Sequence, residues 1–473
     1  MDFDQDDREL LRAVSGYLTS AQEFAHAELR ARRTPLGDVI SAHLGVDAET
    51  LPIVQESIAE HRLVDADIAL ELLSAESDGR LIGVTGGEQR QHQSMTEYVG
   101  NGHFPYGPGP VDYVERASGP GTTRRVVALG VRLLHFDGQP LAMTQRGAAP
   151  QFGRRSASLE VMGADSDVVS GFLAAVRARM ISHSVLRGRV LSFVPTEYGQ
   201  DAGATFVPRP SVAAEDVVLP DGLLDGVVQH VIGIGEHREL LRASGQHLKR
   251  GVLLYGPPGT GKTLTVRHLL TRAPDMTVVL LSGPSIRFVS AAAEVARTFQ
   301  PSIVVLEDID LVAMERNASP QPLLFEVLEA LDGLDGDADV AFVMTTNRVE
   351  VLERALAERP GRVDLAVEVP RPARAERERL YRHYARGLGF GDEALRAATD
   401  ATEGVTGSFA KELVRRSVLR AAERGEAPGD ADLSAALAEL LDARQELTRR
   451  MLGDDPGAGE GSAPQGFPPH GAY

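Results

Sequence analysis

The chain has 473 residues, of which 43% are hydrophobic and 25% are charged, and its formal net charge is -18. This length is enough for two or three domains, and the composition is that of a globular protein. The acidic balance disfavours a non-specific nucleic-acid binder, and the absence of cysteine excludes disulfides, thiolate metal sites and cysteine nucleophiles.

The amino terminus reads MDFDQDDREL, which lacks the basic region and the apolar core of a secretory signal. No stretch reaches the roughly 18 uninterrupted apolar residues that a membrane-spanning helix needs. The sequence therefore predicts a cytoplasmic chain that does not insert into a membrane.

The first half of the chain is predicted to contain two regions and a linker. Residues 1–84 are predicted to be helical, because apolar residues recur in them at helical spacing. Residues 85–195 are predicted to form a small α+β domain with a hairpin that turns at Asp137-Gly138, two further strands (SASLEVMG and GRVLSFVP) and one helix. The segment 196–215 is interpreted as a linker.

From residue 216 the pattern changes to short apolar strands that alternate with helices. The strand sequences are GVLLY, TVVLLS, SIVVLE, VAFVMTT and LAVEVP. This alternation is typical of a parallel sheet with helices on both faces, so residues 216–372 are predicted to be an α/β core. Only helices are predicted over residues 373–450, and the Gly- and Pro-rich tail 451–473 is predicted to be disordered.

The segment LLYGPPGTGKT follows a predicted strand and opens a predicted helix, as a phosphate-binding loop of the pattern G-x-x-x-x-G-K-[ST] does. Glycines let the backbone form a nest of N–H groups that point at phosphate oxygens, and the helix amino terminus adds a favourable dipole. Lys262 is expected to reach the β- and γ-phosphates, and Thr263 to hold Mg²⁺. The predicted nucleotide contacts are Gly256, Pro257, Pro258, Gly259, Thr260, Gly261, Lys262, Thr263 and Leu264. The alternative is a glycine-rich structural turn, which the strand–loop–helix context disfavours.

Four motifs follow one another along the chain: GPPGTGKT, VVLEDID, TTNR and ERPGRVD. In this order they resemble an AAA ATPase module, a P-loop NTPase core with a C-terminal helical lid, and the resemblance covers roughly residues 216–445. It implies that the chain binds ATP and Mg²⁺ and hydrolyses ATP as a ring. A homohexamer is the family expectation.

The stretch IVVLEDID ends in Glu307 and then Asp308, whereas the family usually has an aspartate followed by a glutamate. By position, Glu307 matches the acid that supports Mg²⁺, partly through water, and Asp308 the acid that polarises the attacking water. Either carboxylate can take either role where the geometry allows. The same order occurs in the mitochondrial AAA type that translocates the Rieske protein, which the sequence resembles at this point. The alternative is an inactive site in which the acids only end a strand.

The resemblance implies three further catalytic groups. Asn347 matches the polar residue that positions water near the γ-phosphate. Arg359 and Arg362 match two arginines that AAA proteins offer to the nucleotide of the neighbouring subunit, and an arginine on the transferring phosphoryl group can raise the rate by about 10³–10⁵. The alternative for each arginine is a solvated surface charge.

Two further segments match the parts of AAA proteins that contact the adenine and the ribose of ATP. Ile232, within VIGIG, lies where AAA proteins hold the adenine, and the alternative is a turn before a helix. Gly407 opens a segment that resembles the lid helix of the family. The family usually has Gly-Ala-Asp at this point, so Ser408 begins a departure from the pattern.

In many AAA unfoldases an aromatic residue on the loop after the second strand contacts the substrate. Phe288 is the aromatic residue at that place here, and a buried core phenylalanine is the alternative. The sequence has no His-Glu-x-x-His motif, so it lacks the metalloprotease half of the membrane-bound AAA proteases.

Three functions compete. The leading hypothesis is an ATP-hydrolysing ring that remodels, unfolds or translocates an unidentified protein substrate, selected by residues 1–195 or brought by an adaptor. The second is a nucleotide-gated switch or scaffold that hydrolyses ATP slowly or not at all. The third, a nucleic-acid motor, is disfavoured by the acidic charge balance, so no nucleic-acid partner is expected.

Overall fold

The computed structural model describes residues 14–17, 20, 33–100, 104–149, 154, 156–195, 202–310, 329, 333, 336–348 and 363–451. The chain divides into two compact units. The first lies within Met1–Ser211, Val227–Leu254 and Val266–Val367, and the second within Val212–Gly226, Tyr255–Thr265 and Glu368–Tyr473. None of the helices in these described ranges is long and apolar enough to cross a membrane.

The first sheet of the first unit is antiparallel. Its strands are Ile53–Ile58 (β1), Arg80–Thr85 (β2), Gly107–Gly109 (β3), Asp112–Gly119 (β4), Thr122–Phe136 (β5), Gln139–Arg146 (β6) and Ala157–Met162 (β7). Their order is β1-β7-β6-β5-β2-β3, and β4 pairs with β5 beside this path. Every one of these pairings is antiparallel.

Helices cover both faces of this sheet. They are Pro35–Leu44 (α1), Leu63–Ala75 (α2), Met95–Val99 (α3) and Ser166–Ser182 (α4). Successive strand residues point to opposite faces, so Leu133 packs with α1 and α3, and its neighbour Leu134 packs with α2 and α4. The predicted hairpin is confirmed: Asp137 and Gly138 join β5 to β6 with φ of 49° and 75°, as the two-residue turns that favour Asp-Gly require.

The prediction of a helical region over residues 1–84 is wrong for two segments. β1 and β2 lie in this range, and they pair with β7 and β5 of the domain that was predicted to start at residue 85. β1 is an edge strand with exposed polar residues, including Gln55 and Ser57. Its apolar pattern is therefore too short to be told from a helix by periodicity.

The second sheet is mostly parallel. Its strands are Val190–Pro195 (β8), Ala202–Phe206 (β9), Arg250–Tyr255 (β10), Thr277–Ser282 (β11), Ser302–Glu307 (β12), Val340–Thr346 (β13) and Leu365–Glu368 (β14). Their order is β14-β10-β13-β12-β11-β8-β9. β8, β11, β12 and β13 are parallel neighbours, and β9 is antiparallel to β8. All five strands predicted after residue 216 are present, and the predicted fold of a parallel sheet with flanking helices is confirmed.

The helices between these strands are Leu223–Val228 (α5), Ile234–Glu236 (α6), Arg238–Ala243 (α7), Lys262–Arg272 (α8) and Val289–Thr298 (α9), with a π-helix at Gln229–Gly233. Short 3₁₀-helices lie at Ala48–Thr50, Glu60–Arg62, Glu88–His92, Ala214–Asp216 and Gly283–Phe288.

Two strands of the second sheet were not predicted to belong to it. β8 was predicted to belong to the α+β domain, and β9 lies within the predicted linker 196–215, yet both extend the second sheet. β8 buries Val190, Leu191 and Phe193. A continuous apolar run of this kind identifies a buried strand but not the sheet that contains it.

Within the predicted linker, Arg209, which follows β9, is fixed to the carboxyl end of α8. The guanidinium of Arg209 donates hydrogen bonds to four backbone carbonyls: Nη1 to Leu270 (3.0 Å) and Ala273 (2.7 Å), and Nη2 to Gly188 (3.2 Å) and Met276 (2.8 Å). A cation at this end of a helix satisfies carbonyls that have no intrahelical partner and complements the helix dipole.

The second unit contains the predicted helical lid. Its helices are Arg374–Tyr384 (α10), Asp392–Ala401 (α11), Gly407–Glu423 (α12) and Asp430–Met451 (α13). Leu380, Leu413 and Leu433, from α10, α12 and α13, share one buried core. Val218, from the segment before α5, packs against the same core.

We expect Arg209→Ala to lower the free energy of unfolding by about 1–3 kcal/mol, because four carbonyls lose a charged donor. Urea denaturation followed by circular dichroism measures this. The control is Arg267→Ala, which removes an exposed arginine from α8, the helix whose carboxyl end Arg209 contacts. It should change the free energy of unfolding by less than about 0.5 kcal/mol. Equal effects of the two substitutions would show that Arg209 has no anchoring role.

Candidate nucleotide-binding and hydrolysis site

The predicted phosphate loop follows β10, and α8 begins at its lysine, Lys262. Gly256, Gly259 and Gly261 have φ of 144°, 77° and 112°, values that residues with a side chain rarely adopt. A Cβ on Gly256 would stand 2.3 Å from the carbonyl oxygen of Val369. The glycine pattern therefore reflects both the turn of the loop and its close packing.

Lys262 lies across this loop. Its Nζ donates to the carbonyl oxygens of Gly256 (2.8 Å) and Pro257 (2.9 Å), and the residue is 5% exposed. The ammonium group is thus held by the backbone of the loop itself. Its predicted contact with the β- and γ-phosphates stays a prediction, as do the contacts of Pro258, Thr260 and Leu264.

The donors predicted for Mg²⁺ suit that ion. Thr263 is exposed in the first turn of α8 and offers a hydroxyl oxygen, and Glu307 is half-buried and offers a carboxylate. Mg²⁺ prefers oxygen ligands and is held in nucleotide sites by one or two protein groups, the phosphates and water. Within the part of the chain that the structure describes, no three His, Asp or Glu side chains are grouped to hold a metal by themselves.

A segment that the sequence analysis missed lies beside the phosphate loop. A side-chain carbon of Leu219 is 3.8 Å from the place of a Cβ on Gly261. The carbonyl oxygen of Leu219 accepts a hydrogen bond of 2.5 Å from Arg379 of α10. The short apolar run VVL between the linker and α5 was the available signal, and it shows no periodicity that would have singled it out.

Gly407 also lies at the loop, at the start of α12. A Cβ on Gly407 would stand 3.4 Å from the carbonyl oxygen of Gly259, and the amide of Ser408 donates to that oxygen at 3.2 Å. Ser408, where the family pattern is broken, therefore binds the backbone of the phosphate loop.

Ile232 lies in the π-helix that precedes β10. The π-helix that contains it is held at the start of β10, where Arg250 Nε donates to the carbonyl oxygen of Val231 at 2.8 Å. Arg250 Nη1 also bonds Asp339 Oδ1, just before β13, at 2.8 Å. Ligands of such sheets bind at the opposite, carboxyl ends of the strands. VIGIG is part of a helical turn, and the predicted role of Ile232 at the adenine stays a prediction.

Arg250 and Asp339 form a fully buried ion pair, with exposures of 1% and 2%. Burial lowers the pKa of the Arg250 guanidinium, and the hydrogen bond with Asp339 opposes this shift. The pair joins the starts of β10 and β13, whose other ends lead to the phosphate loop and to Asn347.

The acids lie where β12 ends. Glu307 is the last residue of the strand and is in register with Ser282 of β11. Asp308 follows with a φ of 51°, in the left-handed region. The amide of Asp308 donates to Thr345 Oγ1 on β13 at 2.9 Å.

Asn347 lies where β13 ends, next to these acids. Its Nδ2 donates to Asp308 Oδ1 at 3.2 Å, so the structure brings together two residues of the predicted catalytic set. The buried Asp310, which sequence reasoning did not single out, holds the same turn. Its Oδ1 accepts from the Asn347 amide at 3.0 Å and from Thr346 Oγ1 at 2.9 Å.

Three other predicted residues have different outcomes. Arg359 and Arg362 lie outside the described residues, and their roles stay predictions. Phe288 is 7% exposed, and its ring lies 6.4 Å from that of Phe193 in an edge-on contact. Of the two interpretations of Phe288, the structure supports the buried core residue.

Residues 252–371 match the family model described as "ATPase family associated with various cellular activities (AAA)". The chain therefore contains an ATPase domain of the AAA family, and the loop, the acids and Asn347 all lie within the matched residues.

Curated relatives carry two kinds of name. The proteasome-activating nucleotidase of Methanoculleus marisnigri is 30% identical over 46% of this chain and 57% of its own length. That of Thermococcus onnurineus is 27% identical over 55% of this chain and 70% of its own. The ATP-dependent zinc metalloprotease FtsH of Acidothermus cellulolyticus is 32% identical over 52% of this chain and 42% of its own. The chain spans about half the length of the relatives it matches.

Gly256→Ala should weaken ATP binding by about 10–100-fold, because the new Cβ would overlap the Val369 carbonyl and the φ of 144° is strained for alanine. Equilibrium titration with a fluorescent ATP analogue measures the affinity. Gly226→Ala is the matched control: Gly226 lies in α5, where the new Cβ would meet no atom within 4 Å apart from its chain neighbours and its own helix backbone, and the ATP affinity should stay unchanged. An unchanged affinity in Gly256→Ala would exclude this loop as the nucleotide site.

Proposed function

We propose that the chain binds ATP with Mg²⁺ and hydrolyses it as a cytoplasmic ring, in which a homohexamer is expected, and that it uses hydrolysis to remodel, unfold or translocate a protein. The hydrogen bond between Asn347 and Asp308 carries this proposal. It places a carboxylate and an amide side by side at the ends of adjacent parallel strands. A site that only ended a strand would not need this contact.

The roles of the residues follow from their chemistry. The loop amides and Lys262 would bind the phosphates, and Thr263 and Glu307 would hold Mg²⁺, which when bound neutralises charge on the β- and γ-phosphates. Asp308 Oδ1 is bonded to Asn347, so its Oδ2 is the oxygen that would accept a hydrogen bond from the attacking water. Asn347 would orient this carboxylate and the water.

A protein substrate is supported by the names of the relatives, which refer to proteasome activation and to ATP-dependent proteolysis. In this chain the α+β domain built on the first sheet would select the substrate or an adaptor. The Glu-Asp order resembles the Rieske-translocating AAA type, and we propose that it marks a working site here rather than a lost one.

The switch or scaffold remains the second candidate because of one observation. Between β11 and α9, the segment Gly283–Phe288 exposes Pro284 and Arg287 but buries its aromatic residue. A substrate would therefore meet no aromatic side chain from this segment, and a ring with weak substrate coupling would suit a switch.

Steady-state ATP hydrolysis, measured against protein concentration, separates the two. We expect turnover that rises cooperatively with concentration, because a neighbouring subunit completes the site. Asp308→Asn should bind ATP with unchanged affinity and lose at least about 100-fold in turnover, since the amide cannot take a proton from water. A wild-type chain that binds ATP without turnover would establish the switch instead.

The arginines are tested by mixing two inactive variants. Lys262→Ala cannot bind ATP but still offers Arg359, and Arg359→Ala binds ATP but lacks this arginine. In a ring of the two, about a quarter of the interfaces would join an intact site to an intact arginine, so turnover should return. A mixture of Lys262→Ala with Asp308→Asn is the control and should stay inactive. No recovery in the first mixture would show that Arg359 does not act between subunits.

A further inference from the structure

The second acid of the pair has an unusual backbone. Among the described residues other than glycine, positive φ occurs at Asp78, Asp137 and Asp308, all of them aspartates. Aspartate and asparagine enter the left-handed region more readily than other residues with a side chain, because a short polar group can bond the local backbone. Glutamate lacks this advantage. The conformation at position 308 therefore favours aspartate there.

This conformation also changes the direction of the chain. If β12 continued in the extended form, residues 307 and 308 would point to opposite faces of the sheet. The left-handed residue ends that alternation, and Asp308 Oδ1 lies within hydrogen-bond distance of Asn347. The short side chain of Asp308 thus contacts Asn347 from a left-handed backbone.

One side chain on the neighbouring strand holds the turn. Thr345 is fully buried near the end of β13, and its Oγ1 accepts the amide hydrogen of Asp308 at 2.9 Å. A residue in the left-handed region costs about 1–3 kcal/mol and persists only where its surroundings fix it. The hydroxyl of Thr345 provides such a contact directly to the strained residue.

We propose that Thr345 is a positioning residue for ATP hydrolysis: it holds Asp308 in the left-handed conformation, and this conformation is the reason that the pair reads Glu-Asp. The inference rests on the proposed ATPase function. It makes the acid order a consequence of the local backbone, so the order cannot be reversed without loss.

Asn347 is held by hydrogen bonds that do not depend on Thr345. Asp310 binds the amide of Asn347 and the hydroxyl of Thr346, and neither bond involves Thr345. Removal of the Thr345 hydroxyl should therefore displace Asp308 while Asn347 stays in place.

The same sheet offers a matched control. Thr277 begins β11 at the opposite end of the sheet from the acids and is 1% exposed. Its Oγ1 accepts the amide hydrogen of Gly188 at 2.9 Å, the same kind of bond at the same length. Thr277→Val thus removes an equivalent hydrogen bond from an equivalent environment without contact with the acids.

We expect Thr345→Val to lower kcat for ATP hydrolysis by about 10–100-fold, as a displacement of about 1 Å does, and to leave the Kd for ATP within about threefold. Thr345→Ser, which keeps the hydroxyl, should retain most of the turnover. Thr277→Val should lower the melting temperature as much as Thr345→Val and leave kcat within about twofold. Equal kcat in Thr345→Val and the wild type would overturn the role of Thr345 and leave the proposed ATPase function intact. No turnover in the wild type would overturn both.

A double-mutant comparison tests whether Thr345 acts through Asp308. In an Asp308→Asn background the residual turnover should be the same with threonine or valine at position 345, because the group that Thr345 positions is already lost. A further loss of tenfold or more would show that Thr345 acts on something else.

The acid order itself is tested by exchange. The variant that combines Glu307→Asp with Asp308→Glu has the usual family order, and we expect it to lose turnover by at least about tenfold, since glutamate at 308 does not favour the left-handed backbone. Wild-type turnover in this variant would contradict the proposed reason for the Glu-Asp order.

Discussion

Four hydrogen bonds join the ends of β12 and β13, and the geometry of the proposed site depends on them. Two involve Asp308, through Thr345 and Asn347, and two involve the buried Asp310, through Thr346 and Asn347. In a parallel sheet, neighbouring strands emerge side by side at their carboxyl ends, and the loops that follow are free to diverge. Here the polar groups prevent that divergence over the two or three residues that the chemistry needs.

The other ends of the same strands are fixed by a different interaction. The buried Arg250–Asp339 pair joins the start of β10 to the start of β13, and Arg250 also binds the π-helix through Val231. An isolated buried ion costs several kcal/mol, so such a pair persists only with additional hydrogen bonds. The carbonyl oxygens of Val231 and Leu248 supply them. Together the two ends fix β13, and with it Asn347.

Sequence reasoning succeeded where the residues of a segment by themselves determine its backbone conformation. The loop at Gly256–Lys262 has the positive φ angles that its glycines allow, and the five apolar strands after residue 216 are present. It was wrong where the answer depends on long-range pairing. β1 is an edge strand without clear alternation, and β8 pairs with β11, which lies far along the chain. Neither partner can be read from local periodicity. The contacts of Leu219, Asp310 and Thr345 were missed for the same reason, because each joins two segments that are separate in the sequence.

On our proposal, the order of the two acids follows from local conformation and departs from the family pattern for that reason. A sequence motif matches residues by their position along the chain. It takes no account of differences in backbone conformation between proteins. At position 308 the backbone is left-handed, so the direction of the side chain differs from that in a continued strand. On our proposal, this direction calls for a shorter acid. The carboxylate of a short aspartate then contacts Asn347, whereas on this backbone a glutamate would extend about one carbon further. In the proposed mechanism, catalysis depends on the place of the carboxylate relative to the water, and the backbone conformation and the side-chain length together set that place.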